Sequence, residues 1–161
     1  MRALLLAACA LVGCSPAQAQ PPTADFVLVD KSDRTLTLYT SGQSTWTVEG
    51  IQFGDAPVGH KQFEGDERTP EGHYTIHTRN PQSAYYLSLR IDYPNAMDRA
   101  FSAAQGRSPG GDIFIHGQPN GLPAGMRMDG DWTDGCIAVS NVEMDLLWTA
   151  IPDGTPIEIR P

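Results

Sequence analysis

Two residues in this 161-residue chain have the types and spacing for covalent chemistry. Cys136 sits in Thr133-Asp134-Gly135-Cys136-Ile137-Ala138-Val139, and His116 closes the apolar run Ile113-Phe114-Ile115-His116 before Gly117. A thiol becomes a strong nucleophile when a base takes its proton, and imidazole is the side chain whose ordinary pKa suits that task. The other cysteines, Cys9 and Cys14, lie in an N-terminal stretch that reads as an export signal. Cys136 is then a lone thiol in an exported domain, where an unpaired cysteine points to reactivity. Gly135 permits a tight turn that brings backbone N–H groups near the sulfur. The competing reading makes Cys136 a small buried hydrophobe and His116 a satisfied core histidine.

The elements that must position this pair read mostly as strands. Phe26 to Val29 is a continuous apolar run, expected as a strand covered on both faces. Thr35 to Tyr39 alternates as its hairpin partner, and Thr45 to Val48 and Ile51 to Phe53 follow. From Gly54 to Gly72 the chain is dense in Gly, Pro and charge, as expected of a long loop that shapes a site or merely coats the surface. His73 to His77 reads as a strand with both histidines on one face; a metal pair at that spacing needs a helix and a third ligand. Tyr85 to Tyr93 alternates, with Tyr85, Leu87, Leu89, Ile91 and Tyr93 on one face and Tyr86, Ser88, Arg90 and Asp92 on the other. Arg90 therefore lies at the surface or overlooks a cleft. Asn95 caps a short helix through Gln105 with Gly106 as its stop, and Ser140 with Glu143 forms a capping box for a helix from Asn141 to about Ala150. His116 ends the strand Asp112 to His116, and Gln118 to Trp132 is long enough for a lid. Thr155 to Arg160 is a final strand.

Met1-Arg2 followed by the short apolar run Ala3 to Val12 has the form of an export signal over residues 1–19. Leu11-Val12-Gly13-Cys14 resembles a bacterial lipobox, which would lipidate Cys14 and tie the protein to a membrane. Ala17-Gln18-Ala19 alternatively offers cleavage after residue 19. Either way the expected location is the periplasm or cell envelope, with residues 20–23 a tether and 24–161 one domain of ordinary size. The whole chain carries a formal charge of −8, and Arg2 is the only charged residue before Ala24, so the domain is at −9. With no basic stripe, nucleic acid is not an expected partner. Sixteen glycines and thirteen prolines, with few helical stretches, indicate a mainly β domain.

The combination resembles the L,D-transpeptidase catalytic domain (YkuD-like) family, bacterial enzymes that act on peptidoglycan. The resemblance rests on His116-Gly117, then sixteen residues from Gly117 to Trp132, then Thr133-Asp134-Gly135-Cys136. Gly65-Asp66, Thr69-Pro70-Glu71-Gly72 and Tyr74 with Ile76 look like the family's upstream stretch. It implies an L,D-transpeptidase-like β-sandwich with one or two short helices. It also implies a thioester on Cys136, His116 as base, and oxyanion donors at the N–H groups of Gly135 and Cys136. His116 could withdraw the thiol proton or hold a thiolate as imidazolium, either lowering the thiol pKa below about 8.5. The implied partners are peptidoglycan stem peptides, with no cofactor and no metal. Substrate-binding candidates are Thr133, Asp134, Gly117, Tyr86, Arg90 and Arg127. The implied reaction passes the acyl group to an amine; the alternatives are an L,D-carboxypeptidase or amidase-type hydrolase with the same pair, and a non-catalytic wall-binding module. Two positions depart from the family pattern. Asp134 stands where a histidine is frequent, and Ala138 stands where an arginine is common, on the Cys136 side by strand alternation.

Overall fold

A computed structural model describes residues 21–123 and 125–161. Cys9, Cys14 and the export signal lie outside the described residues. Eight strands and two short helices are present: β1 Phe26–Asp30, β2 Thr35–Thr40, β3 Gln43–Glu49, β4 Gly72–Ser83, β5 Tyr86–Ile91, α1 Ala96–Ala104, β6 Phe114–His116, β7 Ile137–Ala138, α2 Asn141–Ala150 and β8 Thr155–Arg160. They form one hydrogen-bonded sheet in the order β3-β2-β1-β8-β4-β5-β6-β7. Past β3 the chain reaches the opposite edge, where Gln52 bridges Ala138 and Gly54 bridges Thr133. The two facing layers expected of a sandwich are thus halves of a sheet that closes on itself. All eight strands give side chains to one core, including Val27, Leu36, Val48, Ile76, Leu89, Ile115, Ile137 and Ile157. Each such side chain contributes about 1.5–3 kcal/mol by leaving water.

Local chemistry explains the helices. Asn95 accepts from the N–H groups of Met97 and Asp98 while Asp98 accepts from the Asn95 N–H, a reciprocal cap on α1. Ser140 and Glu143 do the same for α2, which buries Met144, Leu147 and Ala150 and leaves Leu146 half-buried. Because α2 begins three residues after β7 ends, its packing anchors the cysteine segment.

Two strand expectations change. β1 is buried only at Val27 and Val29, with the alternate positions half-exposed, so one face is covered and not both. The second strand of the β4–β5 hairpin starts at Tyr86, whose φ of +68° breaks the alternation expected from Tyr85 onward. The pairing also shifts between Asn80 and Ser83. Side chains on either side of this irregularity do not obey period two.

Candidate active site

Parallel pairing of β6 with β7 sets Ile115 beside Ile137 and His116 beside Ala138. Cys136, one residue before β7, therefore lies level with Phe114. The Phe114 N–H points at its sulfur, and Sγ donates to the carbonyl of Asp112 at 3.5 Å. Cys136 and His116 line the same cavity of about 390 Å³, with Tyr85, Ser88, Asp112, Trp132, Thr133 and Asp134 among its walls. His116 is buried and Cys136 partly exposed.

The two motif glycines are required by close approach. A Cβ on Gly135, at φ +117°, would stand 2.4 Å from the carbonyl oxygen of Arg68. One on Gly117 would stand 2.6 Å from Asn141 Oδ1 and 2.9 Å from the Tyr86 Cβ. Real side chains do not tolerate such distances, so the glycines let the chain pass between the loop 54–71, β5 and α2. Thr133 shapes the turn itself: its hydroxyl donates to the Cys136 carbonyl at 2.8 Å and accepts from the Gly135 N–H at 3.2 Å. This corrects one expectation. The Gly135 N–H already has an internal acceptor, whereas the Cys136 N–H has none among the described residues. The Thr133 hydroxyl is likewise committed to the turn.

Of the two expected arrangements, base and thiol or imidazolium and thiolate, the electrostatics favour the first. His116 Nδ1 donates to the Gly117 carbonyl at 2.7 Å; a carbonyl can only accept, so the lone pair belongs to Nε2. Burial lowers the His116 pKa below its ordinary value, and the Gly117 hydrogen bond offsets only part of that. Burial pushes the Cys136 thiol up to about 11; the Phe114 N–H and Lys61 oppose this, while Asp134 and Asp112 add to it. Among the described residues no hydrogen bond joins the two side chains. Both directions favour a neutral imidazole with a protonated thiol over an imidazolium–thiolate pair in the substrate-free site.

Two other sequence candidates are placed elsewhere, and a third lies at the rim. Tyr86 turns away from the cavity and donates to Asp145 on α2 at 2.8 Å. Arg127 is tied to Glu143 and to the carbonyls of Gly50 and Glu49, outside the cavity walls. Arg90 stays close, pairing with Asp112 at 2.8 Å and lying over the Phe114 ring. Ala138 is completely buried and does not line the cavity, so it does not share the exposure of Cys136. Asp134 lines the cavity and is exposed, with no ion-pair partner among the described residues.

Two aromatic walls lie outside the motif residues. Tyr85 stacks on the His116 ring at 4.8 Å between centroids, and Trp132 meets that ring edge-on at 5.6 Å. Trp132 directly precedes the cysteine motif; Tyr85 lines the cavity next to the left-handed backbone of Tyr86, which breaks the strand alternation. His73 and His77 are exposed on β4, and no metal-binding group of three or more His, Cys, Asp or Glu occurs among the described residues.

The model of the L,D-transpeptidase catalytic domain, YkuD, matches residues 24–159. The YafK protein of Escherichia coli strain K12 is 29% identical over 125 residues, covering 74% of this chain and 44% of that protein. Among solved structures, the helical cell shape determining protein Pgp2 from Campylobacter jejuni matches at TM-score 0.67 and 30% identity, covering 83% of this chain and 46% of that one. Bd1075 from Bdellovibrio bacteriovorus matches at TM-score 0.59 and 25% identity, over 87% of this chain and 51% of that one. The chain thus spans about half the length of these relatives. The motif, the closed β fold and the family match over nearly all of the domain agree, and the chain belongs to the L,D-transpeptidase catalytic domain family.

Proposed function

We propose that the protein is an exported cysteine acyltransferase that cleaves an L,D-amide bond of peptidoglycan stem peptides and passes the acyl group to an amine. One observation carries the reading: a partly exposed thiol and an imidazole with its Nε2 lone pair free line one cavity. In the first step the thiol proton goes to His116 Nε2 as sulfur attacks the carbonyl. The C–S bond forms, the C–N bond breaks, and His116 returns the proton to the departing amine of D-Ala. In the second step an acceptor amine gives its proton to His116 and attacks the thioester; the new C–N bond forms and sulfur leaves as thiol. Starting from a protonated thiol, the proton leaves sulfur in the course of the attack. The Cys136 N–H is the available oxyanion donor, and such a donor supplies about 3 kcal/mol to the transition state.

Residues around the thiol support a peptide with charged groups. Arg90 and Asp112 at the rim offer a cation and a carboxylate, and Asp134 offers a second carboxylate. The likeness to Pgp2 supports a role in cell shape. Water in place of the amine would give the hydrolase with the same pair. The test is mass spectrometry of peptidoglycan fragments after incubation with purified protein, with and without an added amine acceptor. Cross-linked or exchanged stem peptides support transfer; D-Ala release with only free tripeptide supports hydrolysis. Unchanged fragments in both arms contradict the enzyme reading and leave a wall-binding module.

A further inference from the structure

Behind the cavity lies a pair of buried glutamines that the acyl-transfer chemistry does not use. Gln118 is completely buried and Gln52 is 7% exposed. Gln118 Nε2 donates to the Val139 carbonyl at 2.8 Å and to Gln52 Oε1 at 3.1 Å, while its Oε1 accepts from the Met128 N–H at 2.9 Å. Gln52 Nε2 donates to the carbonyls of Met128 and Gly130, and its Oε1 also accepts from Trp132 Nε1 at 3.3 Å. The outer partners act in one direction only, as a backbone donor, backbone acceptors or an indole N–H, so the orientation of both amides is determined. Both amides are fully satisfied, and a satisfied buried network is rigid. The Asp131 carboxylate adds a tie beside it, accepting from Arg34 and from the Phe53 N–H. Residues 128–132 are thereby sewn to the sheet, so this end of the expected lid does not swing.

We propose that Gln52 and Gln118 are positioning residues of the site, holding Trp132 edge-on to His116 so that water is kept from one side of the imidazole. The inference rests on the acyl-transfer reading only for its consequence on rate; the geometry stands without it. The Trp132 indole has a single N–H, and it is the one bonded to Gln52; the backbone N–H goes to the Phe53 carbonyl. Removing the anchor frees the indole to leave the ring, and His116 gains solvent. A wet imidazole binds a proton more readily, because burial is the influence that keeps it neutral. The groups around it do not change in the comparison. They are the Cys136 thiol, the Tyr85 ring, the Asp112 and Asp134 carboxylates, and Arg90 paired to Asp112.

The experiment is a histidine-ring NMR titration of the substrate-free protein for wild type, Gln52→Leu and Trp132→Phe, with His116→Gln to assign the signal among His60, His73 and His77. Thermal melting shows which variants are folded. The wild-type His116 midpoint is expected below the ordinary value of about 6.5, and both variants are expected to move it up toward that value. The acid limb of kcat/KM should move by the same amount. Trp132→Phe keeps an aromatic ring and lies at the cavity wall, so it decides the matter alone if Gln52→Leu does not fold. A His116 midpoint unchanged in the folded variants overturns the proposal. A midpoint that moves in a protein showing no acyl transfer supports positioning while refuting the function.

Discussion

His116 donates its Nδ1 proton to the carbonyl of Gly117, the next residue in the chain, at 2.7 Å. The orienting acceptor is thus supplied by backbone, and the tautomer is set without a carboxylate partner. Gly117 serves twice, since its missing side chain also lets Asn141 and Tyr86 approach. The His-Gly dipeptide is therefore one device, a base together with the means of aiming it.

Asp134 should depress reactivity in the substrate-free protein. Burial is the main cause of the raised thiol pKa, and the Asp134 carboxylate adds to it. Asp134→Asn is expected to lower the midpoint of the pH–rate curve for alkylation of Cys136 relative to wild type. A midpoint that stays put or rises removes Asp134 from the electrostatics of the thiol.

Ala138→Arg should act on stability. Ala138 has no exposed surface, sits beside His116 in the β6–β7 pairing and exchanges backbone hydrogen bonds with Gln52. An unpaired buried charge costs about 3 kcal/mol or more, and at roughly 3 °C per kcal/mol for this size the melting temperature should fall by about 10 °C. An undisturbed melting temperature with a changed ratio of transfer to hydrolysis would instead show that an arginine here reaches the substrate.

Asp66 should stabilise the loop that supports the motif glycines. Its carboxylate accepts from the N–H groups of Gln62, Phe63 and Arg68 and from the buried Lys61 ammonium at 2.9 Å. Burial, the largest single influence, raises its pKa, but these hydrogen bonds together outweigh it and hold the pKa below 3.8. The folded value lies under the unfolded one, so this stability is present above about pH 4 and is lost as pH falls through the folded pKa. Asp66→Ala leaves Lys61 buried without its partner and should cost about 3–5 kcal/mol at neutral pH. Denaturant melts should show the gap between variant and wild type closing in acid; a gap constant down to low pH contradicts this.

Cys14 decides the anchoring. If the lipobox reading holds, wild type should partition with membranes and Cys14→Ser should be soluble in the periplasm. Wild-type protein free of membranes with its mature terminus at Gln20 would establish ordinary cleavage instead.

Much of the site was legible in the sequence because it is carried by short local signals. Cys136, His116 and the two capped helices depend on neighbours in the chain, and the structure puts the helices where their caps predict. What could not be read depends on distant backbone. Burial by segments far apart in sequence pushes the thiol pKa up, against the lowering expected from the motif alone. Tyr85 and Tyr86 exchanged their expected roles through one left-handed residue. Gln52 and Gln118 belong to no local motif, and the closing of the sheet brings them together.

The central claim is that Cys136 carries the acyl group, with His116 moving its proton. Intact-protein mass spectrometry during turnover of a stem tetrapeptide tests it most directly. Wild type is expected to gain the mass of the peptide less D-Ala, mapped to Cys136, and His116→Ala should form this adduct slower by about a hundredfold or more. Cys136→Ala should melt like wild type, form no adduct and release no D-Ala. D-Ala released at the wild-type rate by Cys136→Ala would contradict the account.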